Sequence, residues 1–431
     1  MSDFNENNDN DFEETNSALG SKKGKTGVAV WRVVLISISA ALLGCSLGVL
    51  LGAGVVITSQ ARRAAESMES DDSMTPDKKE KVIREMIDTY YLDAKSLSEN
   101  TIDDGKYKGM LESLGDPYSV YYTEEAFTDL MESTEGTFYG IGVYLSQSIS
   151  TNEIRVAKPI KKSPAEAAGI LADDILIKVN DEDIRGQELS LVVSKVKGPE
   201  GTTVDLTFLR EGEEYTVTVE RAKVEVQTVD YRMEDEKEKI GYIQVTEYDD
   251  VTYSQFVEAI DALNEQGMKS LVLDLRGNPG GNVSTVVDMT DELIDEGIVV
   301  YTEDRDGNRQ DYPSTEGKRF DGEIVVLVDG NSASAAEIMT GALKDYEVAT
   351  VMGTTTFGKG IVQRVFSLGD GTAVKITVEN YFTPNGHNIH KVGIEPDVVV
   401  EFDADAYKKD ETDNQLNAAI DYLKDYNSRI K

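Results

Sequence analysis

The spacing of apolar residues changes along this chain, and each change marks a different kind of element. Residues 1–32 open on an acidic, polar stretch (MSDFNENNDNDFEETNS) with too little apolar surface to order itself. Val33–Ile57 then runs 25 residues without a charge, and a helix of that length exceeds the ~30 Å hydrocarbon thickness of a bilayer. From Pro76 the period becomes helical, and residues 76–136 are expected to form an N-terminal helical arm: Val82, Ile83, Met86, Ile87 and Tyr90 fall on one face. A turn at Gly115-Asp116-Pro117 interrupts this arm, and TEEAFTDLMES predicts a second helix with Thr123 as its cap. Over 137–223 the pattern alternates in short strands (IRVAKPI, ILIKVN, VDLTFLR, YTVTVER) around one helix at Leu189–Val196, the mark of a small β-rich module. Over 224–402 strands and helices take turns: GYIQVTEY, SQFVEAIDALNEQ, SLVLDLRG, STVVDMTDELIDEG, EIVVLVDG, ASAAEIMTGALKDY, ATVMG. Continuous apolar strands such as Leu271–Leu273 and Ile324–Val328, alternating with helices, predict an α/β core. Residues 403–431 are polar and close with a helix at Asn414–Tyr426.

Charge sets the direction of the apolar run. Lys22, Lys23, Lys25 and Arg32 precede it, whereas Arg62 and Arg63 are followed by Glu66, Glu69, Asp71 and Asp72. The positive-inside rule puts the N-terminus in the cytoplasm and the rest outside, on a single-pass anchor that a shorter, cleaved signal peptide would not resemble. Leu42-Leu43-Gly44-Cys45 loosely resembles a lipoprotein acylation site, but the run continues a dozen residues beyond it. Gly44, Gly48 and Gly52, with Ala40, form a small-residue face; it suits a homodimer, and it is also an ordinary feature of membrane helices.

Composition then narrows the chemistry. The chain has 431 residues, 43 Lys and Arg against 80 Asp and Glu, and a formal net charge of −37. So acidic a protein repels phosphate backbones, which argues against a nucleic-acid partner. One cysteine excludes an internal disulfide framework and a multi-thiolate zinc site, and the two histidines, His387 and His390, are the sole candidates for any His-based triad. As half a metal site the pair lacks a third ligand, and PNGHNIHKVGIEPD reads as a loop. Gly353-TTTF-Gly358-Lys359-Gly360 nearly matches a phosphate-binding loop, yet Gly360 stands where Ser or Thr would hold magnesium, and IVQRVFSL reads as a strand where that motif needs a helix.

A nucleophile is better placed in Gly330-Asn331-Ser332-Ala333-Ser334-Ala335-Ala336-Glu337, a small-residue turn between a strand and a helix. A strand fixes such a turn, small neighbours leave room for substrate, and helix-start amides can stabilise an oxyanion. Ser332 and Ser334 both qualify, and capping is the ordinary reading of either. Serine needs a base. Lys359, isolated among Thr354–Thr356, Phe357, Gly358, Gly360 and Ile361, could be held neutral by burial, and Gln363 is a neutral amide able to orient an amine without protonating it.

In order and spacing, LESLGDPYSVYYTEEAF, KPIKKSPAEAAGILADDILIKVN, VLDLRGNPGG, SASAAEI, TTFGKGIVQ and GIEPD resemble the C-terminal processing peptidases, or tail-specific proteases, across roughly Lys78 to Glu401. The resemblance implies a serine endopeptidase with Ser334 as nucleophile, Lys359 as general base and Gln363 positioning the lysine. It implies an oxyanion hole from the backbone of Ala335 and of Gly280 or Gly281, and no metal or organic cofactor. The core is then expected to be similar to the ClpP/crotonase-like arrangement. Residues 137–223 resemble a PDZ domain, with Tyr139-Gly140-Ile141-Gly142-Val143 as the carboxylate-binding loop, beside which the C-terminal tail of a protein substrate would add as a strand.

Overall fold

The computed structural model describes residues 74–148 and 151–429. The run Val33–Ile57 and the tail before it lie outside the described residues. Among the described residues no helix is long and apolar enough to cross a membrane. The chain divides at Leu97 into two compact units, a division that falls inside the arm expected over 76–136. In the first unit the helix Pro76–Tyr90 starts as its sequence dictates: Thr75 accepts from the Lys78 N–H and proline opens the first turn. None of its residues is buried.

The second unit is organised around a six-stranded sheet in the order Val229–Asp235, Ile240–Val245, Ser270–Asp274, Glu323–Val328, Ala349–Gly353, Val398–Val399. The first pair is an antiparallel hairpin and every later pair is parallel, with Leu273 opposite Val326. Side chains alternate across such a sheet. Leu271, Leu273, Ile324, Val326 and Val328 therefore pack on one side with helices Thr252–Glu265, Val283–Asp291 and Ala335–Asp345. Val272, Val325 and Leu327 face the closing helix Asn414–Arg429 through Ala419 and Leu423. Burial on both faces explains the uninterrupted apolar strands.

A second, five-stranded sheet has less sequence warning. Its long strand Ala373–Phe382 pairs with Gly297–Asp304, Ile361–Ser367 and the three-residue strand Val120–Tyr122. The arm thus contributes a strand to the sheet, just before the helix Glu124–Glu135, whose expected cap is present: Thr123 accepts from the Ala126 N–H.

In the β-rich module, the strand Val143–Gln147 is the edge of a sheet that continues through Ile154–Pro159, Ile175–Val179, Thr203–Arg210 and Glu213–Glu220. The helix Leu189–Val196 buries Val192 and Val196 in that module's own core. Chain entry and exit are zipped together by Thr137–Gly140 pairing with Ala222–Glu225.

Candidate active site

Ser334 caps the helix Ala335–Asp345 at the end of the buried strand Glu323–Val328, with φ 55° and ψ −114°. A non-glycine residue with such a positive φ is strained, and it persists only where its surroundings hold it. Here they do. The Ser334 N–H donates to Glu337 Oε2 at 2.9 Å, its carbonyl accepts from the Tyr381 hydroxyl at 3.0 Å, and the Ala333 N–H donates to the Asn278 carbonyl at 2.9 Å. Ser332 is excluded as a nucleophile by its position. It is fully buried, and its hydroxyl donates to the Leu275 carbonyl at 2.8 Å while accepting from the Asp329 N–H.

Glu337 is the residue that sequence reasoning passed over. Its side chain is fully buried and accepts four hydrogen bonds: from Ser334 N–H, from Thr356 Oγ1 at 2.6 Å, from Gly358 N–H at 2.7 Å and from Lys359 N–H at 2.8 Å. Ser334 and Lys359 share one oxygen of this carboxylate, so their backbone nitrogens are no farther apart than two hydrogen bonds laid end to end. The spacing Ser334-x-x-Glu337 is that of a capping box, a signal present in the sequence. The phosphate-loop resemblance ends here too, since the Gly358 and Lys359 amides that would cradle an anion already hold Glu337. Both glycines are needed for packing: a side chain at Gly360 would meet the His390 backbone at 2.6 Å, and one at Gly358 the Gly393 backbone at 2.9 Å.

Burial, above all, lowers the Lys359 amine below the ordinary lysine range, and Lys375 adds to the effect; Glu337 and Asp116 oppose it. Among the described residues Lys359 forms no ion pair, and its Nζ lies 5.0 Å from the centre of the Tyr118 ring. Among the described residues no hydrogen bond joins Nζ to Ser334 Oγ. Tyr118 was not foreseen as part of this site. Its loop is braced by Asp116, which accepts from the Tyr118 N–H and the Ser119 hydroxyl, while Ser119 Oγ accepts from the Thr377 N–H.

Gln363 lies on the strand Ile361–Ser367 and its Nε2 donates to Thr377 Oγ1 at 3.2 Å. It thus contacts the Thr377–Ser119–Asp116 chain rather than the lysine. Gly280 approaches the turn so closely that an added Cβ would lie 2.7 Å from Ser334 Cβ and 2.9 Å from the Ala335 nitrogen. Its N–H, however, donates to Asn278 Oδ1 at 2.8 Å. In this arrangement it is occupied and not offered to an oxyanion, because the short Asn278 side chain folds back over the loop. Gly281 pairs with Tyr248 as an isolated bridge, and a side chain there would collide with the Tyr248 carbonyl at 2.3 Å. His387 is exposed, and neither it nor His390 hydrogen-bonds Ser334.

Of the five residues expected to receive a tail, Tyr139 and Gly140 belong to the strand that zips the module shut, and Val143 begins the edge strand. Ile141 and Gly142 form the loop itself. Their carbonyls accept from Ala165 and Ile160, and their N–H groups take no acceptor among the described residues. Gly142 has φ 79°, and a side chain there would meet Ser163 Cβ at 2.3 Å. The loop lines a cavity of about 600 Å³ with the edge strand, the helix Leu189–Val196 and the helix Glu124–Glu135.

With this geometry in view, two family descriptions match the chain: a PDZ domain at residues 155–210 and peptidase family S41 at residues 239–400. A probable CtpA-like serine protease of Staphylococcus aureus (strain N315) is 38% identical over 335 residues, 77% of this chain and 66% of the relative. A protein of the same description from Staphylococcus saprophyticus is 37% identical over 341 residues, 78% of this chain and 67% of the relative. The chain therefore spans about two thirds of the length of these curated relatives. Among solved structures, a photosystem II D1 C-terminal processing protease overlays with a TM-score of 0.45 and 28% identity, covering 74% of this chain and 86% of that one; that overlay is too loose to carry an argument. The extent of the staphylococcal matches, with the two family descriptions following one another in order, establishes that the chain belongs to peptidase family S41 and carries a PDZ domain.

Proposed function

We propose that this protein is a serine endopeptidase that captures C-terminal tails of protein substrates in its PDZ groove and hydrolyses peptide bonds at a Ser334–Lys359 centre. The observation that carries the reading is the buried Glu337 carboxylate, which binds the backbones of both residues on one oxygen while burial favours the neutral lysine. In the reaction, neutral Lys359 takes the Ser334 Oγ proton as Oγ attacks the carbonyl carbon. The tetrahedral oxyanion meets the Ala335 amide and a glycine of the Gly280-Gly281 loop once that amide is released from Asn278. The lysine then gives its proton to the departing amine, and water attacks the acyl-enzyme with the same amine as base. Gln363 acts on the lysine through the Thr377 network. No step calls for a metal or organic cofactor.

The open edge of strand Val143–Gln147 and the free Ile141 and Gly142 amides support tail capture by strand addition. The parallel sheet with helices on both faces is consistent with a ClpP/crotonase-like core. The charge asymmetry around Val33–Ile57 supports a single-pass anchor with the peptidase outside the cell membrane.

The test is a cleavage assay on a tailed protein substrate. Ser334→Ala and Lys359→Ala should each lower turnover by about 10³-fold or more with the thermal transition retained. Simultaneous replacement of His387 and His390 should leave turnover within a few-fold. Near-normal turnover of Lys359→Ala would sink the mechanism, and loss of activity in the double histidine variant would favour a histidine base.

A further inference from the structure

The tail-binding cavity has one cation among its lining residues. Lys197 follows the helix Leu189–Val196, and its N–H closes that helix on the Val193 carbonyl. Its Cα lies 3.9 Å from where a Gly140 side chain would begin, and it shares the cavity lining with Ile141 and Gly142, whose amides take no acceptor among the described residues. Other positive groups at this helix end are committed elsewhere. Lys195 pairs with Glu182 at 2.6 Å, and the Arg221 guanidinium is spent on the carbonyls of Val196, Lys195 and Thr203. Lys197 itself is held across the cavity by Glu132, with Nζ 2.7 Å from Oε2.

Glu132 comes from a different element, the helix Glu124–Glu135, which also turns Glu125 and Asp129 toward the cavity. A side-chain carboxylate therefore sits on the cation within the same cavity that Ile141 and Gly142 line. We infer that Lys197 is the counter-charge for the substrate's terminal carboxylate, and that Glu132 is a resident competitor which a tail must displace. The inference rests on the tail-capture reading and adds to it a recognition residue and a built-in brake. The displacement is inexpensive, because both partners are partly exposed (40% and 31%) and such ion pairs contribute little. Glu125 and Asp129 remain behind as negative neighbours, so the groove discriminates against tails with acidic residues near the terminus.

The experiment uses the full chain in detergent with Ser334→Ala to prevent turnover, and a short fluorescent peptide ending in valine as free acid and as C-terminal amide. Binding is read by anisotropy. Glu132→Gln should tighten the free acid by about two- to five-fold and leave the amide unchanged. Lys197→Gln should weaken the free acid and narrow the gap between the two peptides. An unaltered or weaker free-acid Kd in Glu132→Gln overturns the inference while leaving tail capture standing. A wild-type groove that binds neither peptide, or both equally, overturns tail capture and the inference with it.

Discussion

The proposed Ser334–Lys359 centre and the proposed tail groove each contain a carboxylate supplied by a helix, yet the two carboxylates sit in opposite settings. Glu337 is fully buried and saturated by four donors, three of them backbone amides. Glu132 is part-exposed and holds one part-exposed lysine. Hydrogen bonds to a buried charge are strong and costly to leave unmade, whereas an exposed pair is screened and readily exchanged. The contrast teaches where the molecule keeps fixed geometry and where it keeps freedom: Ser334 and Lys359 are joined through their backbones by a buried carboxylate, whereas the cavity at Ile141 and Gly142 carries a part-exposed ion pair of the kind that exchanges readily.

The strongest way to break this comparison is at Glu337. Glu337→Ala strands three amides and a hydroxyl inside the protein and should lower stability by about 3–5 kcal/mol, read as a fall in denaturant midpoint, with turnover lost even in the folded fraction. A variant with unchanged stability would mean that the carboxylate does not bind the two segments together. Next comes Gly142→Ala in the groove, where both the positive φ and the 2.3 Å approach to Ser163 oppose a side chain. It should cost about 1–3 kcal/mol and abolish peptide binding, while a short substrate too small to reach the groove is still cleaved. If that short substrate were lost as well, the two regions would not be separable.

The smallest effect sharpens the electrostatic side. Tyr118 covers the Lys359 amine, and burial is the main cause of its lowered pKa. Removing the ring in Tyr118→Ala lets water return and raises that pKa toward the ordinary lysine value. The neutral base then becomes available only at higher pH, so the acidic limb of the kcat/KM profile should move to higher pH and the rate at neutral pH should fall several-fold. Tyr118→Leu, which retains cover without the ring's attraction for a cation, should hold the limb in place or move it lower. A limb that does not move in Tyr118→Ala removes the tyrosine from the site.

Much of the main sheet was legible because its strands are covered on both faces and its helices carry ordinary periodicity. The helix Leu189–Val196 and the cap at Thr123 were readable from local pattern alone. The second sheet was not. Strand Ala373–Phe382 is half-buried along most of its length, so neither alternation nor a continuous apolar run marks it. Strand Val120–Tyr122 exists because Ala373–Lys375 lies beside it, far along the chain. The same distance hid two site residues. Glu337 looked like an acidic residue in the first turn of a helix, and its partners on the Thr356–Lys359 loop arrive only through folding. Tyr118 sat in a turn whose Asp-Pro pattern explains its own bend and says nothing of a lysine more than two hundred positions away. Gln363 had a plausible strand position, but its amide partner is Thr377.

The left-handed backbone at Ser334 has a practical consequence for anyone seeking substrates of the proposed activity. An inactive form meant to hold a protein in the cleft must keep the turn aimed as it is. Alanine, which retains the same steric constraints as serine at that φ, keeps the bend under tension; glycine would let it relax, giving a sturdier molecule with a blunted grip. If the proposed activity holds, a bait built on alanine is therefore the better instrument for fishing out its substrates.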